Sequence, residues 1–179
     1  RALLGRARAR YRLQRVRDAL VDLDEVLAIA HALGERTLEV EALIQKATAH
    51  DWSDEFDASA TATTAARDRL GAGTDPLALD VELAEGRSLF RLQKFALAAP
   101  HLRRVMGAAH DRDAEVETIA GVLLGPALVE LGDLDEAETV FADVIRLCER
   151  TGDRLHFGAA HANRTWLWSK RGEVEQNAN

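Results

Sequence analysis

The side chains best suited to recognition chemistry occur twice in the same order. Arg8, Tyr11 and Arg12 stand 79 residues ahead of Arg87, Phe90 and Arg91. An arginine fork meets a carboxylate through two parallel N–H donors, and an aromatic ring adds contact area at little cost in torsional freedom. Positions three and four residues apart share one side of a helix. The chemistry on offer is capture of an acidic or carboxylate-bearing segment with some apolar character. The same arginines could instead be solvated, their stems covering apolar neighbours.

Residues for other chemistry do not converge. The histidines are His31, His50, His101, His110, His156 and His161, and no two have the i, i+4 spacing of a helical metal pair. Cys148 lies among Ile145, Arg146 and Leu147 with no histidine near it in sequence, which reads as a buried, inert thiol. Gly71-Ala72-Gly73 looks like a phosphate loop, but that use needs a preceding strand, so a plain loop before Pro76 is expected. Asp133, Asp135, Glu136 and Glu138 fall at a helix start, where they meet the helix dipole and cap free N–H groups. No nucleophile, base and orienter come together. The chain is expected not to be an enzyme and to use no cofactor and no metal.

Those side chains must be carried by helices. Alanine, leucine and arginine dominate, while β-branched and aromatic residues are thin, so the expected class is all-α. With 179 residues, 47% of them hydrophobic, the chain can bury a sizeable core. A net charge of -7 argues against a nucleic-acid partner, which calls for a basic face. The local exception is Arg1, Arg6, Arg8, Arg10, Arg12, Arg15 and Arg17, all preceding the first acid, Asp18. A single cysteine allows no internal disulfide and fits a reducing, cytoplasmic setting. No apolar run is long enough to span a membrane. The chain opens at Arg1 inside a helical pattern and reads as a fragment of a longer protein.

Small residues recur at Ala19, Ala58, Ala98 and Ala137, at spacings of 39, 40 and 39. Larger apolar residues follow in register, such as Leu23, Val26 and Leu27, or Phe141, Val144 and Ile145, marking one helix face. A second amphipathic segment precedes each turn. The units read as about 1–36, 37–75, 76–112, 113–152 and a truncated 153–179 begun anew at Arg171-Gly172-Glu173-Val174. Helices are predicted over about 1–14, 17–33, 37–51, 54–70, 76–92, 96–110, 113–131, 134–151 and 154–171, with another starting at Val174. One helix pair cannot bury its own apolar face, so the pairs must stack.

The segment Leu124-Gly125-Pro126-Ala127-Leu128-Val129-Glu130-Leu131-Gly132-Asp133-Leu134-Asp135-Glu136-Ala137 resembles a tetratricopeptide repeat. It carries the leucine–glycine pair of the first helix, the Gly-Asp turn and the small alanine of the second. Gly86 and Ala7 stand at the first-helix glycine in other copies. The units are longer than the usual 34 residues. In that they are similar to arrays in large bacterial signalling proteins, where such repeats follow a kinase or ATPase domain. The resemblance implies a right-handed superhelix of antiparallel helix pairs, about four and a half repeats in a single domain.

In the family, the first helix of each pair lines a concave groove. Carried onto this chain, the groove residues include Arg8, Tyr11, Arg12, His50, Arg87, Phe90, Arg91, Asn163 and Trp166. Leu4, Ile44 and Ala84 occupy spots where relatives that hold chaperone tails place polar residues, so that ligand is not expected. Arg10 falls at a usual core position, so the basic segment reads as a face for a preceding repeat. Trp168 is expected in the core and Trp52 between units. The expected function is a scaffold for a protein or peptide partner or for another domain of the same protein, and exposed array ends offer a route to self-association. The alternative is a ligand-sensing module of a larger signalling kinase or ATPase, which a deep, closed apolar pocket would favour.

Overall fold

A computed structural model describes residues 1–70 and 76–177, with side chains through 172. The described residues form helices and turns without a strand: α1 (Ala2–Arg12), α2 (Val16–Leu33), α3 (Arg36–Asp51), α4 (Phe56–Arg69), α5 (Ala78–Arg91), α6 (Phe95–Ala109), α7 (Ala114–Leu131), α8 (Leu134–Thr151) and α9 (Arg154–Asn177). All but α9 follow the predicted spans closely. Pro100 and Pro126 both lie inside continuous helices. Most of the predicted loop before Pro76, residues 71–75, lies outside the described residues. No described helix is long and apolar enough to cross a membrane.

The end of α9 departs from expectation. A turn is predicted at Arg171-Gly172, yet the helix runs through it to Asn177. A glycine inside a helix costs about 1 kcal/mol relative to alanine, which does not stop a helix by itself. Arg171 is instead held by α8, where its guanidinium donates to Asp135 at 2.9 Å and to the Leu134 carbonyl at 3.2 Å.

The chain packs as two compact units, Arg1–Leu92 and Gln93–Asn179. In the first, each of α1 to α4 packs on its successor, and α3 also touches both α1 and α5. Its core joins Leu4, Ala7, Tyr11, Ala19, Leu23 and Val26 to Ala42 and Ala49. In the second, α6 packs on α7, α7 on α8 and α8 on α9, with α7 also reaching α9. There Leu102, Leu124, Leu128, Phe141, Val144 and Leu167 are almost wholly buried.

A shared phase runs through all four turns that precede a second helix. Gln14 (φ 61°), Asp54 (φ 58°), Gln93 (φ 57°) and Gly132 (φ 84°) adopt the left-handed conformation. The residue five places later is buried in every case: Ala19, Ser59, Ala98 and Ala137. The packed residue of the second copy is therefore Ser59. Ala58, the expected one, is only half-buried, and the spacings become 40, 39 and 39. The turn sets the phase: α1 closes with the Gln14 N–H on the Tyr11 carbonyl at 3.0 Å and the Arg15 N–H on Arg10 at 2.9 Å, as α7 closes on Val129 and Leu128.

Only Gly132 meets that backbone without strain, since a left-handed L-residue costs roughly 1–2 kcal/mol. Part of that is offset in the unfolded chain, where glycine has more freedom to lose. Gln14→Gly and Gln93→Gly are each expected to stabilise the chain by roughly 0.5–1 kcal/mol, read as a rise in urea midpoint.

Close helix approach explains two further glycines. A Cβ built on Gly125 would overlap the Phe141 ring, and one on Gly121 would overlap Val144. The leucine–glycine pair of the sequence motif thus marks where α7 seats the largest buried side chain of α8.

Candidate functional site

The first helices of the Arg1–Leu92 unit carry most of the predicted groove residues, and several have jobs inside the fold. Tyr11 is buried at the end of α1. Its hydroxyl donates to Gln45 of α3 at 2.8 Å, and its ring lies 6.2 Å from that of Trp52. Trp52 sits between the first two hairpins and remains 43% exposed. Arg8 and Arg12 are exposed on α1. His50, in the last turn of α3, holds Glu55 across the turn at 2.6 Å, and this bond keeps the Glu55 carboxyl below its ordinary range.

Arg87 differs most from expectation. Its side chain is 16% exposed, its Nε lies 2.7 Å from Asp51, and its Nη2 donates to Thr48 at 2.8 Å. Asp51 is itself buried, at the C-terminal end of α3, where the helix dipole disfavours a carboxylate. The contact is ionic rather than a well-aligned hydrogen bond, and both Asp51 oxygens are left without a donor. Burial pulls the Arg87 guanidinium below its ordinary range, and Asp51 opposes that shift. Arg87 therefore supplies an internal counter-ion instead of an open fork for a ligand. The second triad is not a copy of the first: Phe90 is half-buried, and Arg91 is exposed with its guanidinium 5.9 Å above the Phe56 ring.

The basic N-terminal segment is largely answered by acids. Asp22 on α2, 1% exposed, accepts from Arg6 at 3.0 and 2.7 Å and lies 2.5 Å from Arg10. Arg1 pairs with Glu41, and Arg15 with Asp18. Apart from Asp18, three residues beyond Arg15, these partners lie on other helices, which a count along the chain cannot show. The Arg6 bond leads the forces that hold the Asp22 carboxyl below its ordinary value. A depressed carboxyl adds stability above the unfolded value near pH 4, and loses it as pH falls toward the folded value. The stability gap between the parent and Asp22→Asn is therefore expected to be flat from about pH 7 to 5 and to shrink below about pH 4, measured by urea unfolding across pH.

In the Gln93–Asn179 unit, Asn163 and Trp166 are half-buried on α9. Trp168, expected in the core, is 52% exposed; its Nε1–H donates to Glu138 at 3.1 Å and Arg164 lies over its ring. The acids at the start of α8 do not cap its N–H groups. Glu136 takes Arg103 of α6, while Asp135 and Glu138 take Arg171 and Arg164 of α9. The Cys148 thiol is buried, which raises its pKa.

Sequence reasoning missed Thr48, Gln45 and Phe56 as partners of the candidate face. The pairing of Asp51 with Arg87 joins two hairpins and leaves no local signal.

No protein-family model and no curated protein matches the chain. Solved structures do. A kinesin light chain-like protein of Podosopora anserina, built of nearly identical TPR-like repeats, superposes with a TM-score of 0.72 at 15% identity, covering 98% of this chain and 88% of that one. MamA of AMB-1 gives 0.59 at 20% identity over 98% of this chain and 84% of the other. YrrB, described as a TPR protein with an unusual peptide-binding site, gives 0.55 at 16% identity over 92% and 84%. At such identities the likeness is one of fold: the chain has a tetratricopeptide-like architecture of stacked helical hairpins.

Proposed function

We propose that the chain is a protein-interaction scaffold, and that the first-helix face of its Arg1–Leu92 unit holds an acidic or carboxylate-bearing segment. The observation that carries this reading is the make-up of that face. Arg12 and Arg91 are exposed there, and the Trp52 ring, 43% exposed beside the buried Tyr11, offers contact area. A structural neighbour whose own description includes a peptide-binding site supports a peptide as the kind of partner. The setting inside a larger signalling protein belongs to the same proposal. A ligand sensor would call for a closed apolar pocket, whereas the described clefts lie open with charged rims.

The test is fluorescence anisotropy with a labelled peptide of alternating leucine and glutamate. Arg12→Glu combined with Arg91→Glu is expected to weaken binding by about tenfold or more, since hydrogen bonds to charged groups are worth roughly 1.5–3 kcal/mol each. Both sites are exposed, so thermal melting should stay near that of the parent. Parent-like affinity in the double variant would end the proposal.

A further inference from the structure

Two hairpin junctions carry the same pair of groups and differ in what neutralises them. Glu39 in the first turn of α3 and Glu117 in the first turn of α7 are both buried. Each faces a histidine from the end of the preceding helix. His31 Nδ1 lies 3.2 Å from Glu39, and His110 Nδ1 lies 2.8 Å from Glu117. Glu39 also holds Arg69 of α4, whose charge is permanent. At Glu117 the matching cation is His110 itself, which is charged only when protonated.

The other nitrogen of the His110 ring faces a second acid, with Nε2 3.4 Å from Asp111. A neutral imidazole has one N–H, so only the imidazolium can donate on both sides. Whichever neutral tautomer forms, one carboxylate meets a lone pair. Asp111 holds a left-handed backbone (φ 59°) in this turn, where α2 and α8 end on Gly34 and Gly152. Aspartate is among the few side chains that visit this region, and unlike glycine it brings a charge. His110 also caps the C-terminal end of α6, where the helix dipole favours a cation. Other charged groups line the same cleft as the ring. Arg150 of α8 opposes protonation. Arg103 of α6 is matched by Glu136 of α8, and Arg146 by Asp143 within α8. Asp113 accepts from the N–H groups of Glu115 and Val116. The balance favours the charged ring: Glu117 first, then Asp111, raise the His110 pKa above its ordinary value.

We propose that His110 is a pH-sensitive latch between the end of α6 and the start of α7, closed when its ring is protonated and slackened when the ring is neutral. The turn it spans is short, with the Arg112 and Asp113 N–H groups both donating to the Ala109 carbonyl at 2.9 Å. Loss of the proton leaves buried Glu117 without its cation and sets Asp111 against the same ring. The α2–α3 junction keeps Arg69 on Glu39 and has no such switch. A raised histidine pKa adds stability below the unfolded value near pH 6.5, and that stability is lost as pH rises through the folded value. The inference does not depend on the first-helix face, since it rests on other residues in the other unit.

The test follows the His110 ring by proton NMR of the full chain in low-salt buffer, its signal assigned by its absence in His110→Gln. In the parent its midpoint should lie above the free value near pH 6.5. Glu117→Gln and Asp111→Asn should each move the midpoint down, and both keep the size and hydrogen-bonding capacity of the side chain they replace. The amide signals of Arg112, Asp113 and Glu117 should titrate with the parent's His110 midpoint. Urea unfolding adds a second reading: the parent should exceed His110→Gln in midpoint at pH 5.5, and that gap should be lost at pH 8.5. A parent midpoint at or below about 6.5, or one that neither carboxylate variant moves, overturns the proposal. So does a stability gap of equal size at the two pH values, which assigns His110 a packing role alone.

Discussion

Replacing Arg87 by alanine is expected to destabilise the chain by about 3–5 kcal/mol, the largest effect of any substitution on the candidate face. The Asp51 carboxylate would stay behind, buried, with no counter-ion and against the dipole of its own helix. Much of the loss comes from the charge left behind, so the pair itself need not be strongly stabilising. Asp51→Leu combined with Arg87→Met removes both charges at similar volume and should restore most of the stability. Urea unfolding of the single and double variants reads this out. If Arg87→Ala costs no more than a surface change, within about 0.5 kcal/mol, the pair is not buried in solution. The experiment also guards the functional test, because a loss of binding in Arg87→Ala would report unfolding as readily as a lost contact.

Phe141→Ala is expected to cost a comparable 3–5 kcal/mol. The ring is fully buried, and its neighbour across the interface is Gly125, which has no side chain to move into the space. Gly125→Ala attacks the same contact from the other side and should cost about 1–3 kcal/mol by overpacking. Combining Gly125→Ala with Phe141→Leu should cost less than the sum of the two single changes, because the smaller side chain makes room for the new methyl. Additive losses would mean that α7 and α8 do not meet through this pair.

The helix spans were legible because apolar residues recur in register along them and three of them end at a left-handed glycine, Gly34, Gly132 and Gly152. The phase of the second copy was harder to read. Ala58 and Ser59 are both small, and only the left-handed turn at Asp54, an ordinary residue in sequence, makes Ser59 the one that packs. The α9 glycine misled for the opposite reason: the Gly-Glu pair resembles a turn, but Arg171 anchors a continuing helix to α8. At the candidate face, the sequence placed the right helices together but not the state of their side chains. Arg87 and Arg91 are four residues apart on one helix, and only the fold decides that the first is buried against Asp51 while the second faces water.

On the proposed function, a partner binds the first-helix face of the Arg1–Leu92 unit. Amide chemical-shift mapping on the full chain, with the leucine–glutamate peptide added in steps, tests it most directly. Saturable shifts are predicted in α1, α3 and α5, centred on Tyr11, Thr48 and Arg91. Shifts confined to α2 and α4, or none in this unit at saturating peptide, would contradict it.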